Sequence, residues 1–428
     1  MRIGIDGYNL ALPAGTGVAS YGLTLARTLS DAGHAVDGVF GIDAGPDPAL
    51  RETLFFDRVC RAPPKRSWPA RQALRLSALR PALRVTADAV PLTGAVAAEA
   101  WAERLPAFDR LSTSPGLFDL AHRHFAARGR FLTLRLPDPP PVMHWTYPVP
   151  VVLEGSRNVY TLHDVVPLRL PFATGSDKAR YHALLAACVD RAAAICTVSE
   201  TSRADILRAL PVAPERVHNI FQASALPDDP PPPDPAEDAR VIAGMYGLRR
   251  DGYFLFFGAI EPKKNVGRLI EAYLAAAPDA PLVVVSGGGW DSPHERALLD
   301  GDRLSDRVIR LRHLPRSVLL RLVRGARAVL FPSLYEGFGL PVLEAMQLGA
   351  PVLTAATSAL PEVAGDAALL VDPWSVPAIA DGIRRLDADA DLRRRLAAAG
   401  PERARTFSRA RYLERLEGMY RAVLAQPA

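Results

Sequence analysis

Nine consecutive residues, Pro227 to Pro235, read P-D-D-P-P-P-P-D-P. Proline fixes φ and lacks an N–H, so this run is stiff, polar and extended, and it cannot join a packed core. It divides the 428-residue chain into two parts that must each bury their own apolar surface. That agrees with a prior of about two to three domains at roughly 150 residues each. With 49% hydrophobic and 23% charged residues, the chain has enough apolar content for both cores.

The first part opens on Arg2 to Gly7, a short apolar run ended by glycine, which reads as a buried strand. Gly15, Thr16 and Gly17 follow, then an apolar-periodic helix over 21–32 and a strand over 35–40. Strand, glycine loop, helix and strand make a unit of the doubly wound type. Strands are legible again at Val159 to Leu162, which ends in His163 and Asp164, and at Ala193 to Val198, ahead of a helix beginning after Ser199. The stretch from Arg61 to Arg135, rich in Arg and Pro, shows no clear period.

Beyond the proline run the alternation restarts, with strands expected at 253–257, 282–286, 308–311, 328–331, 352–354 and 368–371. The pattern predicts an α/β protein with an N-terminal domain over 1–226, a linker over 227–240, a second α/β domain over 241–405 and a terminal segment over 406–428, helical across 409–424. Two such domains joined by a hinge leave a cleft between the carboxyl ends of their sheets, where open sheets bind ligands.

Composition excludes several classes. A net charge of +5 is too mild to indicate nucleic acid. Cys60, Cys188 and Cys196 form no CxxC pair, which argues against a zinc site or disulfide framework and for reduced thiols in the cytoplasm. The residues after Met1 lack a signal-peptide apolar run, and the longest uncharged stretches are broken by Gly and Pro, so no bilayer span is expected.

The sharpest chemical signal is F-P-S-L-Y-E-G-F-G-L-P-V-L-E-A-M over Phe331 to Met346. A strand runs into a loop with Glu336, Gly337, Phe338 and Gly339, and a helix begins near Leu340 with Glu344 in its early turns. The glycines let a backbone approach a ligand, the helix N-terminus suits a phosphate, and carboxylates accept from sugar hydroxyls. The plainer alternative is an ordinary strand-to-helix turn with Glu344 paired on the surface. A second signal is Lys263 and Lys264, adjacent lysines at a strand end in a chain where only Lys65 and Lys178 are also lysine among 51 basic residues. A compact ammonium can stabilise a departing diphosphate. The alternative is a solvated pair at a helix start. His163, at a first-domain strand end, would face the same cleft; the alternative is an ordinary structural histidine. Gly287, Gly288 and Gly289 after the 282–286 strand leave room for a nucleotide or simply form a loop.

With Glu336 and Glu344 seven residues apart in E-G-F-G-L-P-V-L-E-A-M, the chain resembles the retaining family-4, or group 1, glycosyltransferases and their EX7E motif. The resemblance is strong from about 253 to 373 and weaker before it. It implies the GT-B fold, two facing Rossmann-like domains with an interdomain cleft, and donor binding mainly in the second. It places Glu344 on the ribose, Glu336 with the amides of Phe338, Gly339 and Leu340 on the sugar, Lys264 with Lys263 on the diphosphate, and His163 with the Gly15 to Gly17 loop closing from the first domain. Gly287 and Gly337 then give the donor backbone clearance, and groups around 312–314 border the base. Many members carry arginine where this chain has Ala259.

The implied function is transfer of a hexose, first mannose from GDP-mannose, to a saccharide or lipid-linked saccharide in surface polysaccharide synthesis, with the nucleotide diphosphate sugar as co-substrate and no further cofactor. The L-P-E element at Leu360, Pro361 and Glu362 also resembles mannosyltransferases. Asp300-Gly301-Asp302 and Asp387-Ala388-Asp389 fit the letters of a metal-holding D-x-D but trail helical patterns, so no metal is expected. Arg71, Arg75 and Arg80 interleaved with Leu74, Leu76, Leu79 and Leu83 fit either a basic amphipathic surface making a peripheral contact on the inner membrane face or a solvated helix packed on the domain. The acceptor is expected against the 61–135 stretch. Other readings of the same motifs are a nucleotide-sugar epimerase of GT-B shape and a non-catalytic binding protein of polysaccharide assembly.

Overall fold

A computed structural model of the chain describes all residues except 14–16, 62–67, 176, 229–233, 288–306, 313 and 427–428. Phe254–Phe257, Leu282–Ser286 and Ala328–Phe331 are apolar on both faces and buried throughout, as strands covered by helices on two sides must be. They belong to a six-stranded parallel sheet ordered Val308–Arg312, Leu282–Ser286, Phe254–Phe257, Ala328–Phe331, Val352–Ala355, Leu369–Val371. Counted in chain order the sequence across this sheet is 3-2-1-4-5-6. Its direction of growth reverses between Phe254–Phe257 and Ala328–Phe331, which opens a crevice at their carboxyl ends. Gly258 to Asn265 leave one of these strands and Pro332 to Gly339 leave the other.

The first domain holds an eight-stranded sheet in the order Val217–Asn219, Ala194–Thr197, Arg157–Thr161, Val142–Trp145, Arg2–Asp6, Ala35–Phe40, Arg110–Thr113, Asp88–Val90, parallel except for the last strand. Its switch lies between Arg2–Asp6 and Val142–Trp145. Asp6, Thr146 and His163 therefore stand at adjoining strand ends.

The stretch without a clear period is ordered where it is described. It contributes helices Trp68–Ala78 and Leu117–Arg128, the edge strand Asp88–Val90 with its neighbour Arg110–Thr113, and the strands Arg84–Thr86 and Leu132–Arg135, which form a small parallel sheet with Val151–Leu153. Strands of three or four residues are too short for a period to register.

The expected linker ends sooner than its composition suggests. Asp234 accepts the N–H groups of Ala236 at 2.9 Å and Glu237 at 3.1 Å, and with Pro235 in the first turn it starts a helix, Pro235–Tyr246. The terminal helix Arg409–Leu424 lies on the first domain: Tyr420 Oη is 2.7 Å from His144 Nδ1, and Glu417 is 2.8 Å from His34 Nε2. Among the described residues no helix is long and apolar enough to cross a membrane.

Candidate active site between the two sheets

The turn Pro262–Lys264 is tied to the opposite strand's loop before any side chain is considered. Leu334 donates its N–H to the Lys263 carbonyl at 2.7 Å, and the Asn265 amide donates to the carbonyls of Pro332 at 3.0 Å and Pro373 at 2.7 Å. This lacing brings Lys264 Nζ to 2.7 Å from Glu336 Oε1 and Lys263 Nζ to 3.9 Å from Oε2. The Lys264 ammonium also sits 4.9 Å from the centre of the Phe331 ring. Burial would push the Glu336 carboxyl up, but Lys264 and Lys263 outweigh it and hold the carboxyl below its ordinary value. For Lys263, burial pulls the ammonium down, and Glu336 with Asp164 of the first domain more than reverses that. The lysine pair is thus committed to a buried carboxylate and is not a solvated helix start.

Glu344 lies elsewhere in the same domain. From the helix Leu340–Gln347 it reaches Arg316 Nη2 at 2.7 Å, at the start of the helix Arg316–Gly325. Its side chain is 13% exposed against 49% for Arg316, so the carboxylate is the more buried of the two. Gly339 has φ +114, which favours glycine, and no side chain caps the helix that follows it, beginning at Leu340. The Phe338 ring packs edge-on to Phe407 at 5.4 Å.

Across the crevice, His163 Nε2 donates to the Thr146 carbonyl at 2.9 Å, and burial holds the imidazole below its usual pKa. Asp164 accepts the Val166 N–H at 2.9 Å and so shapes the local turn. His163, Asp164, Tyr147 and Tyr181 of the first domain and Glu261 and Lys263 of the second line a cavity of about 190 Å³. No described residue of 61–135 forms a wall of it. At Gly17 and Gly287 an added Cβ would meet no atom of the described residues within 4 Å. Gly15, Thr16, Gly288, Gly289 and the Asp300–Asp302 element lie outside the described residues. In the other D-x-D element Asp387 pairs with Arg327, and Asp389 caps a helix by accepting the Leu392 N–H at 2.8 Å.

Several contacts that close the crevice have no signature in the sequence. Glu362 accepts the N–H of Glu200 at 2.7 Å and of Thr201 at 3.1 Å, capping a first-domain helix, Glu200–Ala209, from the second domain. Ser199 Oγ and Ser202 Oγ donate to the Gly337 carbonyl at 2.7 and 3.1 Å. Tyr335 donates to the buried Asp205. Of these, Glu362 carries a sequence signal as part of L-P-E, and Tyr335 and Gly337 as part of the 331–346 run; Ser199, Ser202 and Asp205 are ordinary polar residues whose partners lie more than a hundred positions away.

Residues 248–403 match the family described as Glycosyl transferases group 1. The O-antigen chain mannosyltransferase B of Escherichia coli is 35% identical over 257 residues, covering 59% of this chain and 67% of that one. The alpha-maltose-1-phosphate synthase of Mycolicibacterium smegmatis is 30% identical over 293 residues, covering 64% of this chain and 75% of that one. The chain belongs to the group 1 glycosyltransferases. The structure of a sucrose-phosphate synthase from Thermosynechococcus elongatus superposes on this glycosyltransferase with a TM-score of 0.67 and 19% identity, covering 98% of each chain, and confirms the GT-B architecture. The Glu336–Lys264 pair falls inside the matched region, whereas His163 belongs to the first domain of the transferase, outside it.

Proposed function

We propose that this glycosyltransferase moves a hexose, mannose from GDP-mannose being the first choice, from a nucleotide diphosphate sugar to a saccharide or lipid-linked saccharide acceptor with retention at the anomeric carbon. The observation that carries the reading is the buried Glu336 carboxylate held between two ammoniums at the switch point of the second sheet. Mannose is favoured by the relative whose name assigns it to O-antigen chains.

In this reading Lys264 and Lys263 neutralise the charge that grows on the diphosphate as its bond to the sugar breaks. Glu336 and the uncapped amides around Gly339 hold the sugar hydroxyls, and Glu344 holds the ribose, with Arg316 keeping its carboxylate in place. The bond from the anomeric carbon to the phosphate oxygen breaks, the bond to the acceptor oxygen forms on the same face, and the acceptor proton passes to the departing phosphate oxygen. Glu336 orients and does not attack. The cavity beside His163, with Tyr147 and Tyr181 in its wall, offers aromatic surface to a sugar ring and receives the acceptor. The reading assigns no step to a metal, and chelators are expected to leave the rate unchanged.

The acceptor's membrane would be met by the first domain at the inner face of the cell, where Trp68 is 67% exposed and Leu76 69% exposed, in a stretch whose sequence also carries Arg71, Arg75 and Arg80. The test is to follow product by proton NMR with a panel of nucleotide sugars and mannosyl acceptors. Retention gives an α-linked product from an α-linked donor. A β-linked product removes the retaining mechanism, and isomerised donor formed without acceptor points to an epimerase.

A further inference from the structure

Asp6 is the last residue of the first strand, is fully buried, and has no cation among the described residues to balance it. Burying a carboxylate without a counter-charge is expensive, and burial pushes Asp6 up to about 6. Its two oxygens are nevertheless both used. Oδ2 accepts the N–H of Thr146 from the neighbouring strand end, and Oδ1 accepts the N–H of Tyr8 at 3.1 Å.

Thr146 is the residue whose carbonyl receives His163 Nε2–H at 2.9 Å. On the other side of the imidazole the Tyr21 ring stands edge-on, 4.7 Å between centres and 85° between planes. Tyr21 is itself anchored, with its hydroxyl 3.0 Å from Thr161 Oγ1. A carbonyl can only accept, so Nε2 carries the proton. In the neutral ring Nδ1 is then an acceptor. The ring lines the cavity at the domain boundary.

We infer that Asp6 is a positioning residue for His163: by fixing Thr146 it selects the Nε2–H tautomer and leaves Nδ1 as an acceptor for a hydroxyl of the reacting sugars. The inference rests on the proposed function only for what meets Nδ1. A carboxylate suits the task better than an amide. The side chain of an Asp6→Asn variant would offer one accepting oxygen and place NH2 against the second backbone N–H, loosening either Thr146 or Tyr8.

The test is nitrogen-15 NMR of the histidines in the full chain at pH 7.5, with His163 assigned by comparison with His163→Gln. Wild type should show His163 in a single Nε2–H tautomer. Asp6→Asn, close in volume and expected to fold, should give mixed tautomers and a 10- to 100-fold lower kcat. Asp6→Ala should do the same more strongly wherever it folds. A pure Nε2–H tautomer in folded Asp6→Asn would overturn the inference. The tautomer is read without substrate, so its outcome is separate from whether the chain transfers mannose.

Discussion

A Cβ added at Gly337 would stand 2.8 Å from the carbonyl oxygen of His163 and 3.0 Å from Cβ of Asp164. The second domain's signature loop therefore touches the first domain's strand end with nothing to spare, and the obstacle is backbone that cannot rotate away. Gly337→Ala should leave both domains folded but hold the crevice open. Overpacking of this kind costs about 1–3 kcal/mol, and charged against closure it lowers turnover by about 5- to 150-fold. Steady-state kinetics with small-angle scattering checks this; an unchanged kcat would contradict it.

Glu362 should matter for the same closure through attraction. Its carboxylate receives two N–H groups of a helix in the other domain, and losing a cap of this kind costs about 0.5–2 kcal/mol. Glu362→Ala should expand the molecule in scattering and raise donor hydrolysis relative to transfer, since an open crevice admits water. Equal hydrolysis-to-transfer ratios in variant and wild type would count against a latch.

The Glu344–Arg316 pair separates binding from chemistry. If Glu344 serves the ribose, Glu344→Ala should raise the donor KM about 10- to 100-fold with a smaller effect on kcat, because the loss is felt equally in ground and transition states. Arg316→Ala should reproduce part of the effect. A fall in kcat at unchanged KM would move Glu344 to the reacting centre.

Acid stability depends on His144, buried between Thr161 and Tyr420 and held down at about 3 by burial. Between pH 6.5 and 3 the unfolded chain takes up a proton that the folded chain refuses, so stability falls on acidification by up to about 1.4 kcal/mol per pH unit. Asp6, raised to about 6, works in the opposite sense: the stability it contributes is present at low pH and lost as pH rises through 6. The difference in urea stability between wild type and His144→Gln should therefore slope with pH across 4 to 6.5. A flat difference would contradict this placement of His144.

How much of this is legible in the sequence follows from the range of the interactions. Phe254–Phe257 and Ala328–Phe331 are continuous apolar runs bounded by turns, and Glu336, Lys263 and Lys264 stand just past their ends, so strand and site are read together. The three-residue strands Arg84–Thr86 and Asp88–Val90 are shorter than any period that could reveal them. The motif directs Glu344 toward the crevice, and its Arg316 partner has no local signal, because a helix start 28 residues away supplies it. Asp6 reads as an ordinary strand end; only the folded register with Thr146 gives it a partner.

The most direct test of the central claim is release of nucleoside diphosphate from a panel of nucleotide sugars, with mannosyl acceptors present, by wild type, Glu336→Ala and Lys264→Ala. The account predicts that wild type turns over one donor, GDP-mannose first, and that each variant is slower by about a thousandfold, within the range typical of losing a preorganised charge-stabilising group. Variants as fast as wild type would show that the pair at the switch point does not carry the reaction.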